Sequence, residues 1–372
     1  MKECNSYGPE LTVPVVSEML GHVFTRNLGL MESGQPGTPV CIWGTHGLGK
    51  TQIVQDYAQS RGWQFAYCAP AQFEEMGDLH GMPTIREEEG QAASTVFAPP
   101  EWVPKKEGPG ILLLDDINRA DDRILRGLMQ LLQNFAMFSW QLPPKWQIVA
   151  TANPEGSGYS VTPMDEAMLT RMIHMTLSFD PKAWSKWATS VGIDSRGIDF
   201  VLNYPEAVTG ERTTPRTLVQ FFGQIETIPN LKAELDLVAI LAASILDEST
   251  VAAFVSFINN DLGTLLSPQD ILDTTQPQEM LKKLYQMAKG DGKAQRIDRI
   301  SAICTRLFLY ITDQKYQHHP RHVPNFSTFL QDQVIPNDLR LSIMQDLAAQ
   351  ESGVGNPFLK DRNLSALLLD KM

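Results

Sequence analysis

Cysteine is scarce in this chain. Cys4, Cys41, Cys68 and Cys304 are scattered, with no C-x-x-C pair, which argues against a zinc knuckle or a disulfide scaffold and suits a reduced, cytoplasmic protein. Basic charge is also short, 31 Lys and Arg against 43 Asp and Glu for a net charge of −12. A broad nucleic-acid surface needs a basic face, so that function class is disfavoured, although one local basic patch remains compatible. No apolar run approaches the ~18 residues a membrane-spanning helix needs. The longest, Leu237 to Leu246 between Asp236 and Asp247, reads as a buried helix. Residues 1–20 lack a basic start followed by an apolar block, so no secretory signal is expected. Internal repeats and low-complexity stretches are missing too. What remains is a chain of 372 residues, 43% hydrophobic and 20% charged, the composition of a soluble protein with about two or three domains.

Against that background one segment stands out. Gly44-Thr45-His46-Gly47-Leu48-Gly49-Lys50-Thr51 reads G-x-x-x-x-G-K-T, the phosphate-binding loop. Its glycines let several backbone N–H groups converge on one anion, Lys50 brings a positive charge to the β- and γ-phosphates, and the Thr51 hydroxyl is offered to Mg²⁺. The flanks fit: Pro39 to Trp43 is an apolar run suited to a buried strand. From Thr51 to Ser60, Ile53, Val54, Tyr57 and Ala58 share one helical stripe, with Gly62 as a stop.

Candidate strands follow at 39–44, 64–69, 111–115, 147–152 and 172–178, most of them separated by helical patterns. In 121–135, for example, Ile124, Leu125, Leu128, Met129, Leu131 and Leu132 share a side. Such alternation predicts an α/β fold with a parallel sheet covered on both faces, binding its ligand at the carboxyl ends of the strands. Residues 81–98 and 136–147 read as two inserted β-hairpins, the first turning at Glu87-Glu88-Glu89-Gly90. From about Pro181 the pattern is helical. Thr214-Pro215 opens a helix with Leu218, Phe221, Phe222 and Ile225 at i, i+3, i+4 and i+7. The expected division is 1–180 nucleotide-binding α/β domain, 181–262 helical lid and 263–372 further helical region, with a break near Lys289-Gly290-Asp291-Gly292.

Nucleotide hydrolysis also needs a metal ligand, a group that orients water, and cations that offset developing charge. Ile111-Leu112-Leu113-Leu114-Asp115-Asp116 is an apolar strand ending in two carboxylates. Asp115 is placed to hold Mg²⁺, and Asp116 to orient or deprotonate the attacking water. Ile148 to Ala152 is a second such strand, and Asn153 at its end could hold the water through its amide. Arg171, at the end of a short helix before the last strand, could reach a neighbouring subunit's γ-phosphate, with Arg119 and Arg212 as competitors. Arg216, in the first turn after Thr214-Pro215, opposes the helix dipole, which favours a bound anion beside it.

In this order GTHGLGKT, ILLLDDINRA, IVATANP, EAMLTRM and TTPRTL resemble the AAA+ ATPases. The D-I-N-R-A continuation, the A-T-A-N-P strand and the stretch from Phe73 to Pro83 resemble the MoxR branch, including its CbbQ-like members. The resemblance spans about residues 10–225. It implies a sheet ordered 5-1-4-3-2, an α-helical lid and a hexameric ring with ATP and Mg²⁺ between subunits. It also implies a sensor 1 at Asn153, a sensor 2 at Arg216 and an arginine finger at Arg171. The two hairpins correspond to insertions that face the pore. Members of the branch remodel protein clients, often with a von Willebrand A-domain partner. One departure stands out: the family usually has Glu where this chain has Asp116, and a water misplaced by about 1 Å can cost about 10²-fold in rate.

The expected function is therefore Mg²⁺-dependent ATP hydrolysis in a ring that remodels a protein client. The alternatives are a nucleic-acid motor on the same core and a non-hydrolysing nucleotide switch. His318, His319 and His322 read as a solvated loop rather than a metal site. Trp184 and Trp187 are expected to pack the lid, and Met164, Met168, Met172 and Met175 to fill core.

Overall fold

In the computed structural model, residues 6–87, 92–156, 160–209, 212–259, 265–289, 297–312, 316–349, 357–361 and 364 are described. The chain forms two compact units, Met1–Asp180 and Pro181–Met372.

The first unit is built on a parallel sheet. Its strands are β1 (Glu10–Leu11), β2 (Val40–Trp43), β3 (Gln64–Cys68), β6 (Gly110–Leu114), β9 (Trp146–Ala152) and β10 (Ile173–Leu177), in the order β1-β10-β2-β9-β6-β3. Every neighbouring pair is parallel. The five strands expected from the sequence occupy the order 5-1-4-3-2, and the two-residue β1 adds an edge. Side chains alternate between faces. On one face Val40, Ile42, Ile111, Leu113, Val149, Met175 and Leu177 pack with Val16, Leu20 and Phe24 of α1 (Val13–Glu32) and with Ile53, Val54, Tyr57 and Ala58 of α2 (Lys50–Ser60). On the other, Cys41, Trp43, Leu112, Leu114, Ile148, Ala150 and Ala152 pack with Ile124, Leu125, Leu128, Leu131 and Leu132 of α4 (Asp122–Asn134). Each of those buried leucines contributes about 1.5–3 kcal/mol. Met164, Met168 and Met172 belong to the α4 side and Met175 to the other. Burial holds the Cys41 and Cys68 thiols well above their ordinary range.

Two small hairpins project from this unit. β4 (Met82–Arg86) pairs antiparallel with β5 (Ser94–Ala98); the turn expected at 87–90 lies largely outside the described residues. β7 (Ala136–Met137) pairs with β8 (Trp140–Gln141). The second hairpin is shorter than the sequence suggests, because Trp146 opens β9 instead. Its ring covers Gly110, where an added Cβ would lie 2.8 Å from the indole, and its Nε1 donates to Lys106 O at 2.8 Å.

The second unit is helical: α6 (Pro181–Val191), α7 (Ser195–Asn203), α8 (Pro215–Ile225), α9 (Leu235–Ile245), α10 (Glu248–Asn259), α11 (Pro268–Leu272), α12 (Pro277–Ala288), α13 (Ile297–Ile311), α14 (His322–Gln331) and α15 (Asn337–Ala348). Helix α8 begins as the sequence suggests, with Thr214 capping the Thr217 N–H and Leu218, Phe221, Phe222 and Ile225 fully buried. Phe200, Phe254 and Phe257 join Phe221 and Phe222 in a cluster of largely edge-on rings. Helix α13 packs on both α6 and α7. The expected boundary at 262–263 and the break at 290–292 lie outside the described residues.

Three expectations are corrected here. The apolar run at 237–246 forms α9, but only Val238 and Ala242 of that helix are buried, while Leu237 and Ile240 are 47% and 65% exposed; one face is covered, by α8 and α10. Of the tryptophan pair, Trp184 is buried and Trp187 is 37% exposed. The histidines at 318–322 are not a uniformly solvated loop, since His322 is buried in α14. Its ring nitrogens meet Asp273 Oδ1 at 2.9 Å and the Tyr316 hydroxyl at 2.7 Å. Among the described residues no three or more His, Cys, Asp or Glu side chains cluster as a metal site, and no helix is long and apolar enough to cross a membrane.

Candidate functional site

The phosphate loop connects β2 to α2 at the carboxyl ends of the strands. Its tight course depends on glycine at two positions in particular. Gly49, the residue that caps α2, has φ +86°, a left-handed conformation that costs other residues about 1–2 kcal/mol. Gly44 has φ +156°, and a Cβ there would press Leu48 at 3.2 Å and Leu177 O at 3.3 Å. The loop therefore ends on the amino terminus of α2, where N–H groups and the helix dipole favour an anion. Thr45, His46, Gly47 and Leu48 complete it. Lys50 is buried to 6% exposure, and its ammonium donates to Gly44 O at 2.7 Å, Thr45 O at 3.2 Å and Asn153 Oδ1 at 3.2 Å.

The acid pair stands where β6 ends. Asp115 Oδ1 accepts from the Thr51 hydroxyl at 2.8 Å and the Thr151 hydroxyl at 2.7 Å, and Oδ2 from the Tyr67 hydroxyl at 3.1 Å. A carboxylate beside a threonine in the first turn of α2 is an all-oxygen donor set, the kind a hard cation such as Mg²⁺ selects. Burial and the neighbouring Asp115 carboxylate push the Tyr67 phenol up to about 12, so it stays a donor.

Asp116 turns sharply away from the strand, with φ 48° and ψ 46°. Its N–H donates to Thr151 Oγ1 at 2.8 Å. Its Oδ1 accepts from Asn153 Nδ2 at 2.9 Å, and its Oδ2 lies 3.3 Å from Arg119 Nε. Asn153 is fully buried just past the end of β9. Its amide bridges a cation and an anion, with the oxygen toward Lys50 and the nitrogen toward Asp116.

Lys50, Thr51, Asp115, Asp116 and Asn153 are thus brought together by contiguous hydrogen bonds. Arg171 makes its contacts elsewhere, donating from Nε to Gln133 Oε1 at 3.2 Å and from Nη1 to Ala167 O. Arg119, its competitor, pairs with Asp116. Arg212 and Arg216 belong to the second unit. Arg212 donates to Ser244 O at 2.9 Å, and Arg216 is exposed in the first turn of α8.

Three further contributors were not singled out from the sequence: Tyr67, Thr151 and Asn118. Thr151 and Asn118 sit inside the quoted A-T-A-N-P and D-I-N-R-A strings, so their proximity was readable although their partners were not. Tyr67 comes from β3, in register with Leu113, and no local spacing links it to Asp115.

The family model of the AAA domain (dynein-related subfamily) matches residues 39–172, a span holding the loop, both acids, Asn153 and Arg171. No curated protein matches the chain. Among solved structures, the Thermotoga maritima RuvB Holliday junction branch migration motor is 14% identical, with 77% of this chain and 87% of that chain covered and a TM-score of 0.36. An arginine-to-alanine variant of the same RuvB is 14% identical, with 78% and 87% covered and a TM-score of 0.40. The fold of the first unit is the α/β P-loop fold of AAA+ proteins, a parallel sheet core followed in the chain by helices.

Proposed function

We infer that an AAA-type core with this geometry hydrolyses ATP with Mg²⁺ and couples the reaction to remodelling a protein client, as a ring of the MoxR kind. The observation that carries the reading is the unbroken chain of hydrogen bonds from Thr51 through Asp115 and Thr151 to Asp116, Asn153 and Lys50. The phosphate-binding cation, the metal ligands and the groups that would place the attacking water all lie on it.

The loop N–H groups at the start of α2 cradle the phosphates, and the Lys50 ammonium offsets charge on the outer ones. Thr51 and Asp115 are the residues that would hold Mg²⁺, which supplies electrostatic stabilisation of charge on the β- and γ-oxygens. Asp116 accepts a proton from the attacking water, and the Asn153 amide holds that water beside it. General-base help of this kind contributes about 10²–10⁴-fold. Arg171 completes a neighbouring subunit's site in trans, and Arg216 closes over the γ-phosphate. Preference for ATP, a hexameric ring and a von Willebrand A-domain partner follow from the MoxR resemblance. The exposed Met82, Ile85 and Phe138 on the two hairpins suit contact with a protein client.

Nucleotide binding and phosphate release measured on two variants test the reading. Lys50→Ala loses nucleotide binding. Asp116→Asn keeps binding and hydrolyses at least about 10²-fold more slowly. Parental rates in both would dispose of the assignment. A second reading, a nucleotide switch that does not turn over, draws on both oxygens of Asp116 being engaged, by Asn153 and Arg119. It predicts tight ATP binding without phosphate release even in Asp116→Glu.

A further inference from the structure

We propose that Asn118 is a positioning residue for hydrolysis, acting through Asn153. This rests on the reading of Asn153 as the group that holds the attacking water. Asn118 is fully buried in the short turn Ile117–Arg119 that follows the acid pair. Its side-chain amide uses both ends on a single residue: Nδ2 donates to Asn153 O at 2.7 Å, and Oδ1 accepts from Asn153 N at 3.0 Å.

The need for such a group follows from where the strands stop. β6 and β9 pair in register as far as Leu114 and Ala150. At Asp116 the backbone turns left-handed and leaves the sheet, so past Ala152 the β9 chain has no β6 backbone to bond. The Asn118 amide supplies the missing donor and acceptor in the spacing of a strand neighbour. Buried main-chain groups left unpaired there would cost about 1–3 kcal/mol each, and the Asn153 backbone would be free to shift.

That shift would matter because the Asn153 side chain sits between charges of opposite sign, Oδ1 at 3.2 Å from Lys50 Nζ and Nδ2 at 2.9 Å from Asp116 Oδ1. Its orientation is correct only while its backbone is held. No other residue type offers a neutral donor and a neutral acceptor on separate atoms of so short a stem: serine and threonine have one oxygen for both, aspartate lacks the donor, and glutamine carries an extra methylene. The same turn also fixes the segment before α5 (Glu166–Leu169), since Asn118 O accepts from Thr162 N at 2.8 Å and Ala120 O from the Thr162 hydroxyl at 2.7 Å.

The test is a double-mutant cycle on the full chain with Asn118→Ala, Asn153→Ala and both together, reading kcat, ATP affinity and melting temperature. The expected result is that Asn118→Ala lowers kcat about tenfold or more, as misplacement of a reacting group does, with ATP affinity within about threefold of the parent. The double variant is then no slower than Asn153→Ala alone. Losses that multiply, or an Asn118→Ala variant with parental kcat beside a slow Asn153→Ala, overturn the proposal. A parental rate in Asn153→Ala itself overturns the role given to Asn153, a distinct result. If the alanine variant does not fold, Asn118→Ser, which keeps a hydroxyl for one of the two bonds, takes its place in the same cycle and is read the same way.

Discussion

Lys50, Asn118, Thr151 and Asn153 in the first unit are as buried as Asp199, Thr213, Thr250, His322 and Asn325 in the second, yet the two sets are arranged to opposite ends. The first set gathers at the carboxyl ends of parallel strands, beside the glycine loop. The second set joins helix to helix. Asp199 of α7 pairs with Arg306 of α13 at 3.0 Å. Thr213 binds Thr250 of α10 at 3.0 Å. Asn325 of α14 donates to Leu272 O at 2.7 Å and to Thr274 O at 2.9 Å beyond the end of α11. Burying polar groups is costly in either place unless they are paired. In the first unit the pairing leaves a carboxylate and an ammonium beside the phosphate loop, and in the second it closes on itself.

The contrast can be broken by experiments that separate activity from stability. Asp115→Asn should reduce Mg²⁺-dependent hydrolysis by more than about 10²-fold, while melting temperature moves by no more than about 4 °C, because the amide oxygen still accepts from the hydroxyls around it. A large loss of stability with little loss of rate would invert the comparison. Arg306→Ala should do the reverse: about 3 kcal/mol lost at pH ~8 in urea unfolding, as expected when a buried ion pair loses one partner, with nucleotide affinity unchanged.

The pH dependence sharpens the second case. Burial raises the Asp199 carboxyl from 3.8 to about 7, with Arg306 pulling the other way and Asp194 adding to the rise. Between those values the folded protein holds a proton that the unfolded chain has lost. Stability from this group is therefore fully present below about pH 4 and is lost as pH rises toward about 7. Parent and Asp199→Asn should diverge steadily in urea unfolding across that window, and the penalty of Arg306→Ala should shrink toward pH ~5, where the carboxyl is neutral. A constant difference would show that Asp199 does not titrate there. The smallest effect belongs to Tyr67→Phe, which removes one hydroxyl from Asp115. The Mg²⁺ concentration for half-maximal activity should shift about two- to tenfold, the worth of one hydrogen bond, with the rate at saturating Mg²⁺ unchanged.

Legibility in the sequence followed the range of the interactions. The phosphate loop, the two acids and Asn153 lie at the ends of apolar runs, and position within a strand is a local property. The alternation of strands and helices likewise signalled the parallel sheet. What escaped were contacts between segments far apart in the chain. Tyr67 reaches Asp115 across 48 residues, and Asn118 meets Asn153 across 35. Exposure escaped as well: a run as apolar as Leu237 to Leu246 reads the same whether one face is covered or all of it. The Pro143-Pro144-Lys145 segment suggested that the second hairpin continued to residue 147, and only the indole lying over Gly110 shows why Trp146 joins the sheet.

The left-handed backbone at Asp116 has a consequence for how this chain tolerates change. Glycine would relax that bend by about 1–2 kcal/mol, but it would also leave the buried Asn153 amide without the carboxylate it donates to, a loss of about the same size, so Asp116→Gly should melt close to the parent. The strain of the bend is thus offset locally, by the hydrogen bond that the same residue's side chain makes.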